Sequence, residues 1–426
     1  MEQPLTYNFS PDGQPLDISG YEQAGGYQAL RRAIKEMAPA DITAMVDDSH
    51  LRGRGGAGFP TGKKWGFVPM GKDAPHPKYL VVNADEMEPG TFKDRLLMEG
   101  NPHQLIEGIL ISAYAIQADT AYIFLRRSYA KARKFLETAI AEAEAANYVG
   151  DNILRTDFNL NIHLHVSAGR YICGEETALL TSFEGKRALP RKKPPFPPVV
   201  GLFGKPTVTN NVETICNIPH IVARGADWFR KLSRTVNGGT KIFGISGRVK
   251  HTGGWELPMG VTIREILEDY AGGMADGYRF RAVIPGGGST EFLVGKHLDV
   301  QMDFDATQQA GSRMGTGNMI ILDDRTCPVG MVLNLMRFFA RESCGWCTPC
   351  REGLPWIAAT LTAIENGQGR AEDLEILKEH TRLLGPGHTY CMLAPGAMEP
   401  LQSALNYFED DFKAHIREKH CPWDQG

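Results

Sequence analysis

The sequence predicts an α/β fold, a largely parallel sheet with helices packed on it, extended by two smaller units. Three observations predict it. Strand-like and helix-like segments alternate over residues 1–237, the signature of repeated β-α units. Near Thr240 the order becomes strand, strand, helix, strand, which suggests a small β-grasp-like insert over 238–327. Over 328–426 the apolar spacing is helical and fits a small bundle.

Element by element, PADITAMVDDSH (39–50) reads as a helix and KYLVVNA (78–84) as a short buried strand. NPHQLIEGILISAYAI (101–116) has helical apolar spacing, and TAYIFLR (120–126) is a strand. SYAKARKFLETAIAEAEAA (128–146) is an amphipathic helix with Ser128 in the N-cap position. NIHLHVSA (161–168) alternates like a strand, and GEETALLTSFEG (174–185) reads as a helix. Three long loops are expected at 52–66, 83–95 and 185–211, the last stiffened by ALPRKKPPFPPVVG. Long ordered loops in a compact domain are usually functional. KIFGISGRV and GGWELPM look like paired strands. In VTIREILEDYAGG, Thr262 and Glu265 form a capping box, and YRFRAVIPGGG returns as a strand. Four amphipathic segments follow: VGMVLNLMRFFARES, LPWIAATLTAIENG, AEDLEILKEHTRLL and APGAMEPLQSALNYFEDDFKAHIREKH. The charge run inside the last reads as a solvated helix face.

The chain is 42% hydrophobic and 23% charged, with a net charge of −4, which points to a soluble globular protein and away from nucleic acid or an anionic membrane. Its start lacks a basic stretch followed by an apolar one, and no apolar run of about 18 residues exists, so neither a secretory signal nor a spanning helix is expected. Any membrane contact would go through partners. Eight cysteines in such a chain argue for metal or redox work rather than a disulfide framework.

ESCGWCTPCREG sets Cys344, Cys347 and Cys350 at strict three-residue intervals. Zinc sites usually use two separated pairs, whereas three thiolates so spaced wrap one face of a cuboidal iron–sulfur cluster. Arg351 follows Cys350 where ferredoxin runs continue, so a fourth thiolate must come from elsewhere. Cys391, in the Gly/Pro-rich loop LGPGHTYCMLAPG, is the best candidate; Cys421 lies near the terminus and Cys327 precedes a proline ahead of the bundle. Cys173 and Cys216 read as packing residues, and His163 and His165 as surface or core residues with nothing nearby to complete a metal site.

LRGRGGAGFPTGKKW (51–65) matches G-x-G-x-x-G at Gly53, Gly55 and Gly58, but follows a helix and not a strand, and it fails the P-loop pattern. Its glycines would let the backbone approach a flat or phosphorylated ligand, beside Arg54, Lys63, Lys64, Phe59 and Trp65. A flexible surface loop is the alternative. NADEMEPGTFKDR (83–95) leaves a strand end, where ligands sit in open α/β sheets; Asp85, Glu86 and Glu88 would meet ligand hydroxyls or ring N–H groups, or form a solvated acidic loop. GRYICGEETALL (169–180) runs from a glycine turn to a helix N-terminus, where Glu175 and Glu176 equally well complement the dipole.

Together with PRKKPPFP and TNNVET, these motifs closely resemble, in order and over nearly the whole chain, the NADH-binding flavoprotein subunits of respiratory complex I, the NADH:quinone oxidoreductase. The resemblance implies FMN and one [4Fe–4S] cluster in a Rossmann-like domain, a β-grasp-like domain and a C-terminal helical bundle. It implies Cys344, Cys347, Cys350 and Cys391 as cluster ligands. FMN would lie against Gly53, Arg54, Gly56 and Lys64, with Asn83, Asp85 and Glu86 on one side and Tyr171, Gly174 and Glu175 on the other. Asn210, Asn211 and Thr214 would hold its ribityl chain or phosphate. NADH would stack on the flavin over Gly56, Ala57, Lys64 and Tyr171, its adenine among Phe59, Phe67 and Phe196 near Lys193, its hydroxyls on Glu88 and Glu176. It further implies hydride transfer from NADH to FMN without a catalytic side chain, then single electrons through the cluster. The implied partners are a small [2Fe–2S] subunit and a larger iron–sulfur subunit of the complex's peripheral arm, on the cytoplasmic side of a bacterial inner membrane. Two rival readings are a zinc-stabilised nucleotide-binding module and the diaphorase subunit of an NAD-dependent hydrogenase or formate dehydrogenase.

Overall fold

Tyr79–Ala84 (β1), Thr120–Leu125 (β2), Asn161–Val166 (β3) and Thr207–Asn211 (β4) form a sheet of order β3-β2-β1-β4 in the computed structural model, which describes residues 2–423. All three pairings are parallel. Such sheets must bury both faces. Leu80, Val82, Ala121, Ile123 and Leu125 face one core, shared with helices 28–36, 39–48, 102–116 and 130–145. Helix 102–116 buries every residue except Tyr114, which explains its all-round apolar sequence; Asn101 caps its start, accepting from Gln104 N–H, and Pro102 occupies its first turn.

The opposite face carries Val81 and Phe124, and here the C-terminal helices join the sheet. Val332, Met336, Phe339, Leu354 and Leu401 share one continuous core with these residues and with Ala178–Leu180 of helix 176–183. The bundle therefore has no core of its own. It has five helices, 328–342, 348–365, 371–383, 393–407 and 409–418, because the fourth expected segment breaks at Phe408.

A second sheet comprises Thr240–Ser246 (β5), Gly253–Pro258 (β6), Phe280–Ile284 (β7), Leu293–Val294 (β8) and Asn318–Asp323 (β9), in the order β6-β5-β9-β7-β8. β5 and β6 pair antiparallel as expected, and Thr262 and Glu265 cap each other reciprocally. The expected elements lack β9, which lies at the centre, parallel to β5. NMIILD is a short apolar run without alternation, and such runs are ambiguous between strand and helix.

Other expectations need correcting. The loop at 185–211 ends in β4, hidden by the polar sequence TVTNN; the loops at 52–66 and 83–95 run into helices 61–66 and 93–100. Ser128 does not cap its helix, which starts at Ala130 after Tyr129 with no capping side chain. The helix expected from Gly174 starts at Glu176, after a 3-10 turn at 171–174. The run 409–418 is not wholly solvated, since Asp411, Phe412 and His415 are buried.

A buried charge joins the two sheets. Glu213, fully buried in the short helix after β4, accepts from Lys241 Nζ at 2.7 Å and from Ile242 N–H at 2.8 Å, both in β5, and lies 2.9 Å from Lys93 Nζ. Burial pushes its carboxyl up, but Lys241, Lys93 and Arg54 outweigh that and hold it at about 2. Glu213→Ala leaves two ammonium groups buried without a counter-charge, and should cost about 3–5 kcal/mol in urea unfolding; a loss below about 1 kcal/mol would show the lysines to be rehydrated.

Candidate functional site

In a parallel sheet the chain reverses direction of travel across the sheet at one point, and the crevice beyond the strand ends opens there. Here that point lies between β1 and β4. Asn83, Asp85, Asn210 and Asn211 leave these two strand ends, and Ser167 leaves β3. The glycine loop covers the crevice. Gly53 N–H donates to the Phe59 carbonyl at 2.9 Å and closes the loop at its base, while Arg54 N–H donates to Thr214 Oγ1 at 2.8 Å. Gly56 has φ of 119°, a conformation that a side chain would strain, and Ala57 is exposed at the tip. Gly62 permits a close helix contact, since a Cβ there would come within 2.5 Å of the Asp47 backbone.

Several side chains expected at a ligand face inward instead. Arg54 is fully buried, donating to the carbonyls of Gly238 and Thr240, so only its backbone borders the crevice. Trp65 is fully buried and donates to Asn210 Oδ1 at 2.9 Å; it offers no stacking face. Glu86 accepts from the N–H groups of Asp94 and Arg95 and from the Tyr129 hydroxyl, anchoring helix 93–100. Asn211 accepts from Lys93 Nζ and donates to Asp94.

Asp85 behaves differently. One carboxylate oxygen accepts from the Ser167 hydroxyl at 2.9 Å; the other is buried with no partner. Burial raises its pKa to about 6. An orphaned acceptor at a strand end fits a ligand with ring N–H or hydroxyl donors, as FMN has. Open space beside Gly174 and Gly53 fits a flat ring as well: a Cβ at Gly174 would meet nothing within 4 Å, and one at Gly53 only the Phe59 backbone, at 3.5 Å or beyond.

Beside this crevice Lys64 Nζ lies 3.2 Å from Glu176 and donates to the Thr209 carbonyl, while Lys193 bridges Glu175 and Glu176 at 3.0 Å each. Burial works against the Glu176 carboxylate, but the two lysines outweigh it and hold its pKa below the usual range. Glu175 also caps helix 176–183 through Ala178 N–H. Phe59, Phe67 and Phe196 are all about half exposed, at 46%, 57% and 55%, with the first two rings 6.3 Å apart. Glu88 accepts from the Tyr171 hydroxyl at 2.6 Å and from Ser289 N–H at 2.7 Å.

Behind Tyr171 lies the second site. Cys344, Cys347, Cys350 and Cys391 line one cavity, walled by Ile172, Pro190, Leu393 and Ala394 and flanked by Trp346 and Tyr390. Helix 348–365 begins just after Cys347 and holds Cys350 in its first turn, and the loop before helix 393–407 brings Cys391. Burial, with the charge of neighbouring thiols, pushes Cys350 up to about 11 and Cys391 up to about 12. Four convergent thiols in an apolar pocket are the donor set of a cubane cluster, whose iron would offset that cost of ionisation. Neither histidine of β3 takes part: His165 stacks on Phe124, and His163 packs on Tyr122. Sequence reasoning missed Glu342, whose carboxylate accepts from Tyr171 N–H at 3.0 Å and pairs with Arg170, tying this turn to the helix before Cys344. Ser167, Lys93 and Ser289 were also missed; no local motif distinguishes any of them.

A parallel sheet with a crevice at its switch point, backed by a cavity of four thiols, defines a redox chain that holds a flat organic cofactor and a metal cluster. Residues 46–220 match the Nuo51 FMN-binding domain, and residues 330–415 match the iron-sulfur binding region of NADH-ubiquinone oxidoreductase-F. Over 415 residues the chain is 53% identical to the F subunit of NADH-quinone oxidoreductase in Salmonella typhimurium and in Escherichia coli, covering 97% of this chain and 93% of each relative. A second F subunit of the same enzyme, in Rhizobium meliloti, is 52% identical over 97% of both chains. A solved NAD+-reducing [NiFe]-hydrogenase matches with TM-score 0.81 at 33% identity, over 97% of this chain and 68% of that one. The chain belongs to the F-subunit family of the NADH-quinone oxidoreductases.

The Asp85 carboxyl gives a pH signature in flavin-free protein. Its folded pKa of about 6 stands above the ordinary carboxylate range, so the folded state retains a proton that the unfolded state releases. Stability contributed by this group is present below about pH 4 and is lost as the pH rises through about 6. Asp85→Asn should therefore exceed wild type by about 1–3 kcal/mol at pH 7–8, with the gap closing towards pH 4. Parallel urea curves at each pH measure it; a pH-independent gap would show that Asp85 is hydrated.

Proposed function

We propose that this chain is the electron-input subunit of an NADH:quinone oxidoreductase, accepting hydride from NADH on FMN and passing electrons singly to a [4Fe–4S] cluster. The observation that carries the reading is the shared wall between the two sites. Tyr171 faces Glu88 in the crevice, while the next residue, Ile172, lines the cavity of the four cysteines. Bound there, FMN supplies two-electron acceptance and one-electron release, and the cluster supplies one-electron acceptance.

The chain's own residues position and select. Gly53, Gly56 and Gly174 leave room for the ring, and the Arg54 backbone borders it. Asp85 accepts from it. Asn83, Glu86, Glu175, Asn210, Asn211 and Thr214 shape its surroundings, Glu86 through the helix it anchors. Phe59, Phe67 and Phe196 offer faces for an adenine, with Lys64 and Lys193 beside them for the pyrophosphate. Glu88 keeps free lone pairs for a ligand hydroxyl, since each of its oxygens accepts only one bond from the protein.

In this reading residues 1–237 are a Rossmann-like FMN and NADH domain, 238–327 a β-grasp-like domain and 328–426 the cluster-bearing bundle. Electrons leave to a small [2Fe–2S] subunit and then to a larger iron–sulfur subunit of the peripheral arm, on the cytoplasmic side of a bacterial inner membrane. No described helix is long and apolar enough to cross a membrane, so in this arrangement the chain meets it through partners. The 53% identity to the quinone-linked relatives against 33% to the hydrogenase favours this role over a hydrogenase or formate dehydrogenase diaphorase.

Adding NADH anaerobically to the purified protein should bleach the flavin band and produce the EPR signal of a reduced [4Fe–4S] centre. Cys391→Ala should keep the bleaching and lose the signal; a normal signal in that variant removes Cys391 from the ligand set. Glu176 would repel a 2′-phosphate. Its replacement by Ala frees Lys64 and Lys193 and should shift the NADPH/NADH ratio of kcat/KM by on the order of tenfold towards NADPH. An unchanged ratio assigns nucleotide selection to other residues.

A further inference from the structure

The far end of the bundle gathers four potential metal ligands outside both sites. Sγ of Cys327, a carboxylate oxygen of Glu365, a ring nitrogen of His415 and Sγ of Cys421 all lie within 4.8 Å of one another. From the geometry we infer that these four residues bind one zinc ion, as a structural site distinct from the iron–sulfur centre.

The distances support one ion. Glu365 Oε2 is 3.2 Å from His415 Nε2, and Cys327 Sγ is 3.3 Å from that nitrogen and 3.6 Å from that oxygen. Tetrahedral zinc, with bonds of about 2.3 Å to sulfur and about 2.0–2.2 Å to nitrogen or oxygen, sets its ligand atoms about 3.3–3.8 Å apart. Atoms this close surround a single ion and leave no room for a cuboidal cluster.

The chemistry of the donors agrees. His415 is fully buried, and its Nδ1 lies 2.7 Å from the Asp411 carbonyl. That carbonyl can only accept, so Nδ1 carries the proton and the Nε2 lone pair of the neutral ring faces the quartet, the arrangement that a backbone partner gives metal-ligating histidines. Asp411 is itself held by Arg281 at 2.6 Å. Cys327 sits at the N-cap of helix 328–342 and accepts from Gly330 N–H at 3.2 Å, a position that favours thiolate. Two sulfurs, an imidazole nitrogen and a carboxylate oxygen are a donor mixture for zinc. Without a cation they leave acceptor facing acceptor unless a thiol or the ring takes up a proton.

The placement indicates a staple. Cys327 precedes the first bundle helix, Glu365 ends the second, His415 lies in the last, and Cys421 lies beyond it. Trp423 stacks on the His415 ring, so the tail is already folded against the site. Helix 328–342 separates Cys327 from Cys344, a span of about 22 Å at 1.5 Å per residue. One metal here ties four chain segments together at the end of the bundle away from the iron–sulfur ligands.

The test uses holoprotein purified from cells grown with zinc and iron, with both metals and FMN counted per chain. Wild type should carry about one zinc beside about four iron. Zinc-edge X-ray absorption should show two sulfurs near 2.3 Å and two lighter donors near 2.0–2.1 Å. Cys421→Ser and Glu365→Gln should lose at least about tenfold in zinc occupancy and keep iron and FMN. If a variant fails to retain FMN, the wild-type absorption spectrum decides by its sulfur count. Wild type with full iron that takes up no zinc would overturn the inference and leave a His415–Glu365 ion pair beside neutral thiols. So would a Cys327–Cys421 disulfide seen by mass, a zinc shell without sulfur, or zinc content unchanged in both variants.

Discussion

One buried carboxylate sets the frame for the crevice. Glu213 leaves the end of β4 and meets Lys241 and the backbone of Ile242 in β5, Lys93 at the start of helix 93–100 and the field of Arg54. Each of these partners belongs to a different wall: the second sheet, the segment leaving β1, and the glycine loop. Burying such charges is costly, and a well-packed apolar substitute would often match their net stability. What an apolar substitute lacks is direction. Ionic hydrogen bonds of 2.7–2.9 Å fix angles as well as distances, and they hold the loop, β1 and β4 in one arrangement around the crevice.

Much of the chemistry was legible because it is written in short spacing. Cys344, Cys347 and Cys350 sit within one loop and helix start, so sequence distance there is spatial distance. The capping box of Thr262 and Glu265 has the same local character. Direction of a side chain is a different matter. Arg54 and Trp65 stand in the ligand loop by sequence, yet both are swallowed by the core, because the Gly238 carbonyl and Asn210, more than a hundred residues away, supply their partners. β4 was hidden for a related reason. Its Asn210 and Asn211 serve polar neighbours, and Thr207 and Thr209 lack the apolar alternation by which a strand is recognised. The quartet of Cys327, Glu365, His415 and Cys421 was invisible for the strongest version of that reason, since its members come from four separate segments and no two are close in sequence at metal-ligand spacing.

The distance between crevice and cysteine cavity is a property of packing and not of a linker. The face of the first sheet, helix 176–183, the C-terminal helices and one face of the second sheet share a single continuous core. Interiors of this density do not deform gradually. The turn at 171–174 lies on that core and is pinned at Tyr171 on both sides: its backbone N–H donates to Glu342, at the end of the helix leading to Cys344, and its hydroxyl donates to Glu88 in the crevice. A shift of the cysteine loop must therefore move Tyr171 or break a hydrogen bond at a buried carboxylate. The four-residue turn thus works as a fixed spacer, which one-electron transfer between a flavin and a cluster requires, since the two centres must keep their separation through every cycle of nucleotide binding and release.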